Sequence, residues 1–536
     1  MSAASSANVA RFLALRAAEA PGLPALMAPT GRSRTGEIQY RTLSFAAMAA
    51  RTAQLAHGLE ASRISRGKRV LIMVRPGLEL ILCCFSLFRV GAVPVVIDPG
   101  MGLRAFLDCV RRTRPSGLIA IRSGYMVSRL FRGVFQSVRD RILVGNRFES
   151  WIDTFPSTPY ADCEPEAEEL AAILFTSGST GPPKGVCYGH GQFDAQVRLV
   201  RETFGIEPGE VDFPMLPVFA LFNPALGMTT VVPEINASRP AALDAGRALQ
   251  AIEQTGVTNS FGSPVLWDKL ARFALECGQT FPKMRRVLSA GAAVPPDLVE
   301  RVRRVFPRAR IWSPYGATEC LPVTAIEGRT ILEETAEQTR RGAGICVGVP
   351  VSGVEVRIIE ITQSVLRDFS EAVELAPGRI GEVVATGPSV TAAYDALPEA
   401  TARAKIRDEA GRIWHRMGDA GYLDTAGRLW FCGRLSERVE TVEGTLFTEC
   451  CEGHFHGLPG VRRVALIGMG KGPVKEPALV VELLPGAKFD PQTLLQRAQK
   501  QPATALIKRI FHSRGFPVDV RHNAKINRLE LARRHG

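Results

Sequence analysis

Residues 174–186 read LFTSGSTGPPKGV. An apolar run leads into six small or hydroxylic residues, Thr176, Ser177, Gly178, Ser179, Thr180 and Gly181, and then into Pro-Pro-Lys-Gly with Lys184. Small side chains let backbone N–H groups approach phosphate oxygens, the hydroxyls add donors, and Lys184 adds a point charge. The chemistry indicated is the cradling of a polyphosphate. A mobile Ser/Gly surface loop is the competing reading, and Pro-Pro-Lys-Gly behind an apolar strand weighs against it. The Walker pattern is not met, because Lys184 is followed by Gly185. Nor does a GxGxxG turn of the dinucleotide-binding kind appear.

Such a loop needs a strand before it and a helix after it. The pattern supplies both, with 171–175 as strand and 192–204 as helix. The same alternation runs earlier, with strand 69–74, helix 78–89 and strand 93–97. It predicts an α/β chain with largely parallel sheets. A β-rich section punctuated by Gly and Pro follows from about 342 to 433, with strands such as 354–361 and 381–386. In the last hundred residues, 464–468 and 478–484 read as strands, and 491–501 and 504–511 as helices. The expected organisation is a large N-terminal domain over 1–434, a hinge at 435–436 and a small mobile α+β domain over 437–536.

Composition narrows the classes further. The 536 residues are 46% hydrophobic and 22% charged, with 50 Gly and 36 Pro in no Gly-X-Y period, so collagen and long disordered tracts are excluded. The net charge is +13. Residues 497–536 hold ten Lys/Arg against two Asp/Glu, a net of +8. That basic portion suits a polyphosphate or an anionic lipid. Nucleic acid is the weakest of the three candidates, since no arginine-rich run or aromatic-studded basic repeat occurs. Eleven cysteines without CxxC spacing make zinc improbable and point to a reducing cytoplasm. The start reads as a short amphipathic helix. The most apolar stretch, 78–88, is too short to span a bilayer, which leaves peripheral contact as the only membrane relation considered.

The loop at 174–186 resembles the nucleotide signature of the ANL superfamily of adenylate-forming enzymes. Further segments fall in the same order: GAVPVVIDP (91–99), His190, SAGAAVPPDL (289–298), YGATE (315–319), GEVVATGPSVTAAY (381–394), HRMGDAGYLDTAGRLWFCGR (415–434) and HNAKINRLEL (522–531). The resemblance implies ATP and Mg²⁺ as cofactors and attack of a carboxylate on the α-phosphorus of ATP. It implies that Gly291, Ala292, Tyr315 and Gly316 take part in nucleotide binding. Thr318 would hydrogen-bond the α-phosphate, Glu319 would hold Mg²⁺, and Asp419 would accept from the ribose hydroxyls. Arg434 would bind ribose or phosphate, and Lys525 would reach the α-phosphate and carboxylate.

Two segments depart from the acyl-CoA ligases of that superfamily. LPVFALFNPALGM (216–228) has Ala220 where a His is common, and it concentrates Phe219, Phe222, Leu226 and Met228 as a candidate acyl pocket. GRLSERVETVEGTLFTECCE (433–452) has Ser436 at the hinge, looks one residue short at 444–448, and has Thr448 in place of Pro. Ligases use that stretch to shape a pantetheine tunnel. Together with SPYGATECLPV, these segments most resemble the olefin β-lactone synthetases. That implies ATP-dependent cyclisation of a 2-alkyl-3-hydroxy fatty acid, with no second substrate entering and with other olefin-pathway enzymes as partners. Alternatives are a long-chain acyl-CoA or acyl-AMP ligase, and a non-catalytic nucleotide-binding partner of an assembly. His190 and His415 are candidates for a general base, though a structural role is expected for each.

Overall fold

The computed structural model describes residues 7–176, 182–235, 242–518 and 525–535. The alternating pattern of the first 200 residues folds into a seven-stranded sheet. From one edge its strands are Ala393–Tyr394, Lys184–Gly189, Leu170–Thr176, Val93–Val96, Arg69–Met73, Gly117–Ile121 and Asp140–Val144. The last five run parallel, while Lys184–Gly189 turns back antiparallel on Leu170–Thr176. Helices cover both faces. Leu78–Arg89 is buried at eleven of its twelve residues, as a long helix of mostly apolar residues must be. Arg89 ends it by pairing with Asp162 at 2.6 Å.

A second, longer sheet is mixed, as the β-rich section led one to expect. Its parallel part holds Asn259–Gly262, Arg286–Ser289 and Arg310–Ala317. Antiparallel strands, including Gly381–Thr386, Ile413–Leu423 and Leu429–Arg434, then extend it. The antiparallel extension is the Gly/Pro-punctuated section of the sequence, where short connections permit hairpins but no helical crossovers.

Residues beyond 436 build their own cores. A hairpin of Val439–Thr441 and Gly444–Leu446 leaves only residues 442 and 443 in its turn, and Val442 at its tip is 88% exposed. Val461–Met469, Glu476–Leu483 and Arg509–His512 form a three-stranded sheet, with Leu466 and Leu479 in one buried cluster and Ile467 and Val480 in another. The helix expected at 504–511 is not formed. Pro502–Thr504 is a single 3-10 turn, and Arg509–His512 pairs parallel to Glu476–Leu483. Leu506, Ile507, Ile510 and Phe511 do follow a helical spacing, but an open sheet edge beside Glu476–Leu483 offered backbone partners, and tertiary pairing overrode the local pattern. The helix Pro491–Gln499 stops short of 501, ahead of Pro502. Among the described residues no helix is long and apolar enough to cross a membrane.

Candidate active site

A single cleft of about 3340 Å³ is lined by Lys184, Gly291, Ala292, Tyr315, Gly316, Thr318, Glu319, Asp419, Arg434 and Lys525. Residues from six separate segments of the sequence therefore face one space. Thr176 closes the strand Leu170–Thr176 and pairs in register with Lys184 across the phosphate loop. Ser177, Gly178, Ser179, Thr180 and Gly181 lie outside the described residues.

Thr318 and Glu319 are the two turn residues of a hairpin between Arg310–Ala317 and Cys320–Glu327, since Ala317 pairs with Cys320. A two-residue turn must project its side chains away from the ladder. The turn is tied down from two sides. Tyr188 donates its hydroxyl proton to the Thr318 carbonyl, and the backbone N–H of Thr391 donates to the Glu319 carbonyl at 2.9 Å. The Glu319 carboxylate accepts from the Tyr394 hydroxyl at 2.7 Å through Oε1. Lys184 Nζ stands 4.7 Å from the centroid of the same tyrosine ring, within cation–π range. Tyr394 thus links the lysine of the phosphate loop to the carboxylate of the hairpin.

Asp419 and Arg434 are direct cross-strand partners on Ile413–Leu423 and Leu429–Arg434. Each is preceded by a left-handed glycine, Gly418 at φ +68° and Gly433 at φ +131°. Gly433 is doubly constrained, because a Cβ there would lie 2.1 Å from Thr448 Oγ1. Asp419 is 2% exposed. It accepts from Tyr315 Oη at 2.5 Å, and Arg434 Nη1 lies 2.9 Å from its Oδ1. Burial raises the Asp419 carboxyl above its ordinary range, and Arg434, Tyr315 and Lys525 pull it back. Burial pushes the Tyr315 hydroxyl well up, so it stays a donor to Asp419. The Lys525 ammonium acts on Asp419 through space, which brings the C-terminal segment to the Asp419–Arg434 end of the cleft.

Glu319 is the candidate magnesium ligand. Among the described residues no group of three or more His, Cys, Asp or Glu side chains is placed to hold a metal. Glu319 brings one carboxylate, of which Tyr394 occupies Oε1. That donor set does not form a complete protein cage. It fits Mg²⁺, which keeps waters and phosphate oxygens as its remaining ligands.

Two side chains escaped the motif reading. Tyr394 closes the segment 381–394, and no motif assigns it a role. Lys405 is 9% exposed and donates to Thr391 Oγ1 at 3.3 Å. Burial pushes its ammonium down to about 8, with the Glu319 charge working the other way. The signal for Lys405 is weak: a lysine between Ala404 and Ile406 in a three-residue edge strand. The histidines separate. His415 lines the cleft, and its Nδ1 is 3.1 Å from the Ala404 carbonyl. Burial, with Lys405, Lys184 and Arg434 around it, holds His415 neutral. Nδ1–H then donates to Ala404 and Nε2 is the acceptor. His190 opens the helix His190–Phe204 and is not part of the cleft lining. Burial pushes it down to about 4.

Of the candidate acyl residues, Phe222, Leu226 and Met228 line the same cleft. They lie in a 3-10 turn, Pro217–Phe222, a short helix, Asn223–Leu226, and the residues after it, not in a core strand. Phe219 belongs to that turn. Asn223 pins the segment, donating to Asp212 Oδ2 at 2.8 Å and to Thr230 Oγ1 at 3.1 Å. Leu226 and Met228 are each 2% exposed, so they serve the core as well as the wall.

A profile of the family described as AMP-binding enzyme matches residues 13–395. The chain belongs to the AMP-binding enzyme family. Within the family it is 44% identical to the olefin beta-lactone synthetase of Xanthomonas campestris pv. campestris, over 98% of this chain and 97% of that protein. It is also 44% identical to the olefin beta-lactone synthetase of Stenotrophomonas maltophilia, with the same coverage. Among solved structures, MatB from Rhodopseudomonas palustris with ATP bound superposes at a TM-score of 0.81, with 20% identity and 99% of both chains covered. The amide bond synthetase McbA from Marinactinospora thermotolerans gives 0.80, with 22% identity, 98% of this chain and 99% of that chain. These two likenesses establish the adenylate-forming fold, mixed α/β with a C-terminal subdomain.

Proposed function

We propose that the chain is an ATP-dependent β-lactone synthetase acting on long-chain 2-alkyl-3-hydroxy fatty acids in olefin biosynthesis. The observation that carries this is the 44% identity to named olefin beta-lactone synthetases over nearly the full length. In the first step a carboxylate oxygen attacks the α-phosphorus of ATP, and diphosphate leaves. Lys184, Thr318 and Lys525 would stabilise charge developing on the phosphate oxygens. Tyr315, Gly291, Ala292 and Gly316 would flank the base, and Asp419 with Arg434 the ribose. Glu319 would hold Mg²⁺, which supplies charge neutralisation on the phosphates.

In the second step the 3-hydroxyl oxygen attacks the activated carbonyl carbon, a four-membered ring closes, the hydroxyl proton is lost and AMP departs. The nucleophile is already attached two carbons away, so a bimolecular step becomes intramolecular. Phe219, Phe222, Leu226 and Met228 would wall the acyl chains. Two features support the lactone over a thioester: Ser436 at the hinge position, and the two-residue turn of the hairpin at 439–446. Residues 1–434 would act as the nucleotide and acyl domain and 437–536 as a mobile domain turning about 435–436. The compartment would be the cytoplasm, and other enzymes of the olefin pathway would be its partners.

The test is mass spectrometry of products from ATP, Mg²⁺ and a synthetic 2-alkyl-3-hydroxy acid, with and without CoA. The expected product is the acid less one water, formed equally in both. The matching acid without the 3-hydroxyl should stall as bound acyl-AMP, and CoA should not release it. Efficient acyl-CoA formation from the deoxy acid would overturn the proposal in favour of a long-chain acyl-CoA ligase.

A further inference from the structure

A second basic stretch, besides residues 497–536, lies earlier in the chain. Residues 103–141 contain nine arginines against two aspartates, a net of +7 in a chain whose total is +13. The fold spreads them over one face of the seven-stranded sheet. The helix Leu103–Thr113 and the helix Arg122–Leu130 both pack on that face, through Phe106 and Val110 and through Val127. Arg104, Arg114, Arg122, Arg129, Arg132 and Arg139 are exposed there. None of these six has a carboxylate within ion-pair distance among the described residues. Several arginines elsewhere are ion-paired. In the C-terminal portion Arg528 pairs with Glu437 and Glu452, and Arg534 with Glu530. Six unpaired, exposed guanidinium groups within 36 residues make this face strongly cationic.

Apolar side chains stand between these arginines. On Arg122–Leu130, residues 122, 126, 129 and 130 share the outward stripe, because Gly124 and Ser128 face the core. Met126 is 61% exposed and Leu130 77%. Leu143 on the edge strand, 49% exposed, pairs in register with Ala120 and so lies on the same side of the sheet. Leu103 at the start of the neighbouring helix is 53% exposed. Large apolar side chains ringed by unpaired guanidinium groups match an interfacial helix, with apolar tips in the acyl boundary and cations at the headgroups.

The same helix touches the cleft. Ile121, Ser123 and Gly124 line it, with Phe106 of the neighbouring helix and Val74, Arg75 and Pro76 after the strand Arg69–Met73. We propose that the face carrying Arg122, Met126, Arg129 and Leu130 docks on an anionic lipid bilayer and sets an arm of the cleft beside the membrane surface. Other occupants fit less well. A nucleic-acid backbone would use the arginines but not Met126 and Leu130. A second copy of this face would bring like charges together. The purpose of docking rests on the acyl-lipid reading above, but the docking itself is measured without substrate or nucleotide, so the two fail separately.

The test is co-sedimentation of the full chain with vesicles of phosphatidylcholine alone and of equimolar phosphatidylcholine and phosphatidylglycerol. Binding is expected only to the anionic vesicles, weakening as salt shortens the screening length. Met126→Asp with Leu130→Asp, and separately Arg122→Glu with Arg129→Glu, should each lower it about tenfold. Turnover of a short, soluble 3-hydroxy acid should be unchanged in both variants, which shows them folded. Wild-type-like binding by either variant, equal binding to neutral vesicles, or tighter retention by a DNA duplex than by anionic vesicles would overturn the proposal.

Discussion

Asp419 sits 2% exposed and yet must remain an acceptor. Burial raises its carboxyl, and Arg434 at 2.9 Å, the Tyr315 hydroxyl and the charge of Lys525 oppose that. The same geometry explains what losing Lys525 should do. Lys525→Ala removes a cation where charge develops in the transition state, so AMP formation should fall by roughly 10²–10³, as for one oxyanion donor. ATP binding should survive, because Lys184 and the Asp419–Arg434 pair are untouched. Single-turnover diphosphate release measures the first quantity and nucleotide titration the second; turnover near wild type would remove Lys525 from its assigned role. Lys525 was legible from a motif because its place in the chain is fixed relative to other motifs. Tyr394 and Lys405 were not, since each owes its position to contacts made across the fold, with Glu319 and Thr391. A sequence displays neighbours along the chain and hides those across it.

Elements carry the next set of consequences. His190 starts the helix His190–Phe204, where an imidazolium would meet both burial and the positive end of the helix dipole. Its value of about 4 lies below the ordinary 6.5. Between those values the unfolded chain binds the extra proton, so stability falls as pH drops from 6.5 and levels out near 4. The full shift corresponds to about 3 kcal/mol. Urea midpoints measured from pH 7.5 to 4.5 should decline less steeply in His190→Gln than in wild type; parallel declines would show that other groups dominate. At the other end of the chain, Arg528 on the helix Arg528–His535 clasps Glu437 and Glu452, each at 2.7 Å, and Glu449 at 3.6 Å. Even so, burial raises Glu449 to about 8. Arg528→Ala strands these carboxylates and should cost about 3–5 kcal/mol, seen as a lower Tm and earlier proteolysis beyond residue 436. Parallel strands and helices before residue 204 were readable from periodicity, because their burial is set locally. The strand Arg509–His512 was not, because its partner Glu476–Leu483 decides it.

For the whole molecule, the cleft joins Lys184, Asp419 and Arg434 to Phe222, Leu226 and Met228 in one volume of about 3340 Å³, well beyond a usual small-molecule site. Each added methylene of substrate should contribute about 0.8 kcal/mol, or about fourfold in kcat/KM, until the wall is filled. A homologous series of 3-hydroxy acids tests this, and a flat series would reject the acyl assignment. The two-part organisation itself places one pair of side chains in a telling position. Cys432, two residues before Arg434, and Cys450, in the helix Thr448–Glu452, share a small buried cluster with Ala420. Their mutual hydrogen bond, together with burial, pushes the Cys432 thiol well up, which keeps it inert as the protein stands. The two sulfurs belong to opposite sides of residues 435–436. An oxidant strong enough to couple them would take two electrons and release two protons, and it would tie together the segments on either side of residues 435–436, the proposed hinge. If the small part turns about 435–436 as proposed, such a fastener would leave ATP free to enter yet stop that turn, so storage in air would masquerade as a slow loss of catalytic cycling that a reductant restores.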